Sequence, residues 1–294
     1  MAFGKGNVLV PFGRLRVLLT ARLLVCLILW LPFNPAYGAA AADEGQNAAF
    51  SALAAAYPDA AFRLVEAEGG DLYLESGGTR VFFSPASGCP QAAFDHAGDP
   101  PVCAMLAQAY PAGAGAREPE PGFEPGRVRN EAFFKLLYGG DEEAVRGNLE
   151  TALFFGEPLR FNARHGAAKA LARVAARLEA LADRDPALKR YILPVAGHFY
   201  WRTIAGSGRL SAHSFGIAID LNVQYGPYWR WSGRNAPEVR AARARYPQAV
   251  VDAFEAEGFI WGGKWHSFDF MHFEYRPELL RPVARPGTES VTAP

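Results

Sequence analysis

The sequence predicts an α+β fold: a small antiparallel sheet with flanking helices, preceded by a small N-terminal segment made of a helix and a β-meander. Three observations predict it. Apolar residues recur at helical spacing in some segments, they alternate at strand spacing in others, and the two kinds of segment follow one another irregularly.

The first 38 residues stand apart from that fold. Lys5, Arg14, Arg16 and Arg22 precede the apolar run "LLVCLILWL", and "AYG" ahead of "AAAA" supplies small residues for cleavage. Residues 1–38 therefore read as a signal segment cut after Gly38. The run falls well short of the ~20 apolar residues that a membrane span needs. Export to the periplasm or cell envelope with no stable span is expected, an uncleaved anchor being the alternative. The residues before Cys26, "LLV", are not the small ones of a lipidation site. Removing the segment takes four of the 30 basic residues and none of the 30 acidic ones, leaving 26 against 30, a formal charge of −4. Nothing in that balance advertises a nucleic-acid surface.

Residues 39–110 read as a small N-terminal domain. "AAFSALAAAY" is rich in helix formers, and "FRLVEAEGGDLYLESGGTRVFFS" over 62–84 reads as short strands joined at Gly69-Gly70 and Gly77-Gly78. Cys89 and Cys103 lie in a proline-broken stretch and are expected to pair in an oxidising compartment. No CxxC or ligand histidine beyond His96 argues for a zinc site there. "PAGAGAREPEPGFEPG" over 111–126 is dense in proline and glycine and reads as a linker, residues 127–281 as the main domain and 282–294 as a tail.

In the main domain Ala167, Leu171, Val174, Leu178 and Leu181 share one helical face, which predicts a helix over 165–182. Pro247 opens a second helix that presents Val250, Val251 and Phe254 and stops at Gly258. "YILPVAGHFYWR", "IAIDLN", "FIWGG" and "MHFEY" read as strands, and no internal repeat is visible.

Two of these runs carry chemistry. In "SAHSFGIAID" His213 and Asp220 are seven residues apart, about 10 Å along a helix or 23 Å along a strand, so the chain must bend if they are to meet. Ser214, Phe215 and Gly216 are the expected bend, after which Ile217, Ile219 and Leu221 alternate with Ala218, Asp220 and Asn222. In "MHFEY", Met271, Phe273 and Tyr275 share one face while His272 and Glu274 share the other. His213, Asp220 and His272 would give two imidazoles and a carboxylate, leaving a fourth tetrahedral position open, as catalytic zinc requires. Asp269, three residues before His272, is the candidate proton acceptor, a turn-forming aspartate being the alternative.

Together, "YWRTIAGSGRLSAHSFGIAIDLN" and "GFIWGGKWHSFDFMHFEYRPELL" resemble the zinc D-alanyl-D-alanine carboxypeptidases, a family that includes L-alanyl-D-glutamate endopeptidases of phage endolysins. The resemblance covers roughly residues 127–280. It implies Zn²⁺ on His213, Asp220 and His272, Asp269 as catalytic acid–base, and Arg202 of "YWR" as the arginine that binds and polarises substrate, with Arg209 a weaker rival. Together with export it implies a metallopeptidase acting on the stem peptides of peptidoglycan, a D-alanyl-D-alanine carboxypeptidase before an endopeptidase. A zinc-fold module that binds cell-wall peptide without turnover is the reading from another class. No motif assigns a role to residues 39–110.

Other residues stay open on the sequence alone. Trp261 and Trp265 either wall a substrate cleft or pack in the core, and Ser211 is read as a turn-capping or substrate-contacting hydroxyl, since no nucleophile elbow surrounds it. His198 could face the cleft, His266 reads as a surface residue, and Glu274 is placed to hydrogen-bond His272. His96 and His165 have no evident partner.

Overall fold

Glycine pairs at turns and alternating apolar residues fold residues 62–84 into the expected meander. The computed structural model describes residues 35–91, 99–113, 118–204, 206–233 and 237–280; the expected signal segment up to residue 34, His96 and the tail beyond 280 lie outside them, while residues 35–38 of that segment fall in a helix. Helix α1 (Pro35–Ala56) leads into β1 (Arg63–Glu66), β2 (Leu72–Ser76) and β3 (Thr79–Ser84), an antiparallel sheet in sequence order. Cys89 and Cys103 form a disulfide, with their Cα atoms 5.9 Å apart.

The chain continues through α2 (Glu131–Tyr138) and α3 (Glu142–Gly147), then a hairpin of β4 (Leu149–Phe154) and β5 (Glu157–Asn162). Asn130 and Asp141 cap the two helices by accepting from Phe133 N and Ala144 N. Helix α4 (Ala167–Arg184) follows, with Leu171, Val174 and Leu178 fully buried, so the expected helix is present. Next come α5 (Lys189–Ile192), β6 (Ala218–Asp220), α6 (Trp229–Ser232), α7 (Pro237–Arg245), α8 (Gln248–Glu255), β7 (Phe259–Trp261) and β8 (His272–Tyr275). The second expected helix is α8, with Pro247 as its N-cap. Among the described residues, no helix is long and apolar enough to cross a membrane.

One expected strand is absent. "YILPVAGHFYWR" begins in the last turn of α5 and continues as irregular chain with an isolated bridge at Gly197, another following just after it at Thr203. Its backbone groups are satisfied one by one instead of along a ladder: Ala196 N and Gly197 N both donate to Asp220 O, and Asp220 N donates to Gly197 O.

Strands β6, β8 and β7 form an antiparallel sheet in that order. Its register sets both faces. Ile219 and Trp261 pair with Phe273, and that face is core: Phe254 of α8 stacks on Phe273 at 3.9 Å. Asp220 pairs with His272, and Ala218 and Ile260 pair with Glu274, forming the other face. Burial of a side chain such as Phe254 contributes about 1.5–3 kcal/mol, so the register is strongly specified.

From Ala36 onward the described residues group as one compact unit. Leu53, Tyr57, Phe62 and Phe83 join the same core as Phe133 and Tyr138, and Tyr57 donates to Glu278 Oε2 at 2.6 Å. The Pro/Gly-rich stretch is also in contact with later residues: Phe123 O accepts from His266 N at 2.8 Å, and Pro125 O accepts from the indole of Trp265.

Candidate active site

The bend between His213 and Asp220 is a 3₁₀ turn over Ala212–Phe215, closed by Gly216 in the left-handed region at φ 65°. A side chain at Gly216 would be strained by that φ, and its Cβ would fall 2.6 Å from Leu149 Cδ2, so only glycine fits. Ser211 opens the turn by accepting from His213 N at 3.4 Å, and β6 then carries Asp220 beneath the imidazole.

His213, Asp220 and His272 converge, each offering one ligand atom, all within 4.8 Å of one another. His213 Nε2 is 3.2 Å from Asp220 Oδ2, and His272 Nδ1 is 2.9 Å from Asp220 Oδ1. Ligands spaced about 3.3 Å apart surround a tetrahedral ion at zinc–nitrogen bond lengths. The remaining ring nitrogens are committed outward. His213 Nδ1 donates to His198 O at 2.7 Å, and His272 Nε2 donates to Glu274 Oε2 at 3.1 Å. When the rings are neutral, as a metal requires, both outward bonds favour the tautomer whose inward nitrogen is bare. His213 Nε2 is buried with no hydrogen-bond donor facing it, which is the condition a metal ligand would meet. The donor set, two imidazoles and one carboxylate, suits Zn²⁺.

The polar face under these ligands is buried more deeply than a half-buried strand implies. Glu274 is wholly buried and accepts from Arg129 and, at 2.9 Å, from Arg276, besides His272. Burial alone would raise its pKa, but the charge of Arg129 foremost, with His272 and Arg276, holds it well below the carboxylate range. Asp220 behaves alike: burial opposes its charge, and His213 and His272 more than offset that.

Asp269 is fixed by Asp269 N donating to Gly262 O at 3.0 Å, while His272 N donates to Asp269 O at 3.3 Å. Its Oδ1 is buried without a hydrogen-bond partner. Burial, opposed chiefly by His272, pushes its carboxyl up to about 7. A carboxyl with that pKa in a cleft suits proton transfer near neutrality.

These groups line a cavity of about 450 Å³. Arg202, Ser211 and Trp265 lie on its wall; Trp265 sits with its ring 5.7 Å from that of His272, and Arg202 is exposed. Trp261 does not. The register that pairs it with Phe273 turns it to the core face, where it is fully buried, stacks on Tyr246 at 4.6 Å and donates to Phe270 O at 2.8 Å. His198 contributes its carbonyl to the site, not its imidazole to the cavity wall. His165 does have partners, Asp59 at 2.8 Å and Leu137 O at 3.0 Å. His266 is half-buried. Met271, expected beside Phe273 and Tyr275, lies on the cavity wall because the regular strand starts only at His272.

Sequence reasoning missed Arg127, Arg129, Tyr228, Arg230 and Trp231, all on the cavity wall. Arg127 carries its guanidinium 4.9 Å over the Trp265 ring and donates to Ser267 O. A signal for part of this set was present: "YWR" occurs at 200–202 and again at 228–230, and both arginines reach the cavity.

The sequence model of a family described as D-alanyl-D-alanine carboxypeptidase matches residues 205–275. Over that segment the chain is similar to the D-alanyl-D-alanine carboxypeptidases. No solved structure matches the chain. The matched segment contains His213, Asp220, Asp269 and His272, while Arg127, Arg129 and Arg202 reach the same cavity from before it.

Proposed function

We propose that the protein is an exported zinc metallopeptidase that hydrolyses the stem peptides of peptidoglycan, acting as a D-alanyl-D-alanine carboxypeptidase. The observation that carries this reading is the convergence of His213, Asp220 and His272 beside the buried carboxyl of Asp269 in one cleft of a carboxypeptidase-family segment. Export is supported by the basic and apolar N-terminus and by the Cys89–Cys103 disulfide.

His213 through Nε2, Asp220 through its carboxylate and His272 through Nδ1 would hold the ion. When bound, Zn²⁺ supplies positive charge that acidifies water and polarises a carbonyl. Asp269 takes a proton from the attacking water and returns it to the leaving amine nitrogen. The outward hydrogen bonds to His198 O and Glu274 keep both imidazoles in the tautomer the site needs. Trp265 closes one wall against bulk water.

Arg202 reads as the sensor of a free C-terminal carboxylate, for which a guanidinium with paired donors is suited. Two peptides test this: one ending in D-Ala-D-Ala, and the same peptide amidated at its C-terminus. Hydrolysis should fall steeply on amidation, and Arg202→Ala should erase most of that preference. Equal cutting of both peptides, or cutting only between L-Ala and D-Glu, replaces the assignment with the endopeptidase.

A further inference from the structure

Arg202 and Arg230 reach one cavity from separately anchored segments. Arg202 is tied to the His213 turn, since Arg202 N donates to Ser214 Oγ and Ser211 N donates to Arg202 O, each at 3.0 Å. Arg230 belongs to α6, whose root is tied to the Asp269 segment. Tyr228 bridges Asp269, Trp229 N donates to Phe268 O at 3.0 Å, and Phe270 N donates to Pro227 O at 3.1 Å. Behind the root, a Cβ on Gly226 would sit 2.7 Å from that of Met271, so the two segments are in backbone contact. These bonds tie the root of the lip of Tyr228, Arg230 and Trp231 to the chain that carries Asp269.

Its surface has the character of a binding site. Trp231 is 69% exposed although it lines the cavity, and Tyr228 props it edge-on at 5.2 Å between ring centroids. An indole left open at a cleft gains apolar burial only when something covers it. Arg230, whose guanidinium lies 5.2 Å over the Trp229 ring, prefers a carboxylate, and the Trp231 indole prefers the flat or apolar face of a peptide. A substrate that spans from the His213 turn to the Asp269 segment meets Arg202 at one end and Arg230 at the other, while Arg129 in the same cavity is paired with Glu274 and Arg127 donates to Ser267 O.

Resting on the metallopeptidase reading, we propose that Arg230 and Trp231 form a second recognition lip that binds an internal carboxylate and its flanking peptide, so that the preferred substrate is an extended acidic peptide and not a dipeptide. Arg202 takes the chain terminus and Arg230 the internal acid. Trp231 covers the backbone between them.

The test is calorimetric binding to the full-length Asp269→Asn protein, loaded with zinc. Three probes are compared: an acetylated pentapeptide ending in D-Ala-D-Ala with a free carboxylate at its second residue, the same peptide with that carboxylate amidated, and the dipeptide D-Ala-D-Ala. The acidic pentapeptide should bind at least about tenfold more tightly than the amide, a difference near 1.4 kcal/mol. Adding Arg230→Gln should abolish that gap, and adding Trp231→Ala should weaken both pentapeptides about tenfold, the scale of an aromatic anchor. The proposal is overturned if the gap survives Arg230→Gln, if Trp231→Ala binds as its parent does, or if the pentapeptides bind no more tightly than the dipeptide. Turnover separates the two readings. If zinc-loaded protein with Asp269 intact hydrolyses the pentapeptide equally well with and without the lip substitutions, this proposal fails alone. If binding follows the expected pattern and no hydrolysis occurs, the enzymatic reading fails alone.

Discussion

Asp220 and His272 face each other across an antiparallel pair, and the one carboxylate reaches both imidazoles, Oδ1 to His272 Nδ1 at 2.9 Å and Oδ2 to His213 Nε2 at 3.2 Å. Two segments some fifty residues apart in sequence are thereby held to one point by sheet register, not by a flexible loop. Purified protein should carry one Zn²⁺ per chain, and His213→Ala or His272→Ala should lose both metal and activity. Full zinc occupancy by elemental analysis in either variant would remove that residue from the ligand set.

Asp269→Asn should behave differently, because it keeps the shape and leaves the three ligands in place. Metal content should stay while turnover falls by about 100-fold or more, the scale of a lost general base. Glu274 is no substitute, since Arg129, Arg276 and His272 enclose its carboxylate. Near-normal turnover in the Asn variant would require a different proton acceptor.

Glu274 has its own expected signature. Glu274→Gln should weaken zinc binding about 10- to 100-fold by loosening the hydrogen bond that orients His272. Glu274→Ala should in addition cost about 3–5 kcal/mol of stability, because buried guanidinium groups lose their counter-charge. Chelator competition and thermal melts read the two effects separately. Unchanged zinc affinity in the Gln variant would show that the bond does not position the ligand.

Without metal, the site should make stability depend on pH. Burial would lower the pKa of His272, but its hydrogen bonds to Asp220 and Glu274 and their charges push it up to about 9 from 6.5. A folded pKa above the unfolded one means that the stabilisation is complete below about pH 6.5 and is lost as pH rises through about 9. Zinc-stripped protein should therefore lose Tm over that window more steeply than zinc-stripped His272→Gln. Parallel curves for the two would contradict this.

The site strands and the meander were legible in sequence because alternation and paired glycines mark strands locally. The faces of "IAIDLN" and of "HFEY" follow from period two alone, whereas Met271 falls before the regular strand and lies on the cavity wall. The hairpin β4–β5 was not read, although Ala152, Leu159 and Phe161 point inward, because its turn runs through Phe155 at φ 51° and Gly156, and its outer face carries an exposed Leu153. Trp261 could not be assigned from its neighbours: core or cleft is decided by the residue it pairs with across the sheet, a non-local fact. Arg127 and Arg129 escaped for the same reason, since they reach the cavity from about 85 residues before His213.

Mass analysis of a digested stem pentapeptide tests the central claim most directly. Zinc-loaded protein should release the single C-terminal D-alanine and leave the rest intact; chelation, His272→Ala and Asp269→Asn should each abolish or nearly abolish the product. No product from zinc-loaded protein, or the same product at the same rate after chelation or in the Asp269→Asn protein, would contradict the account.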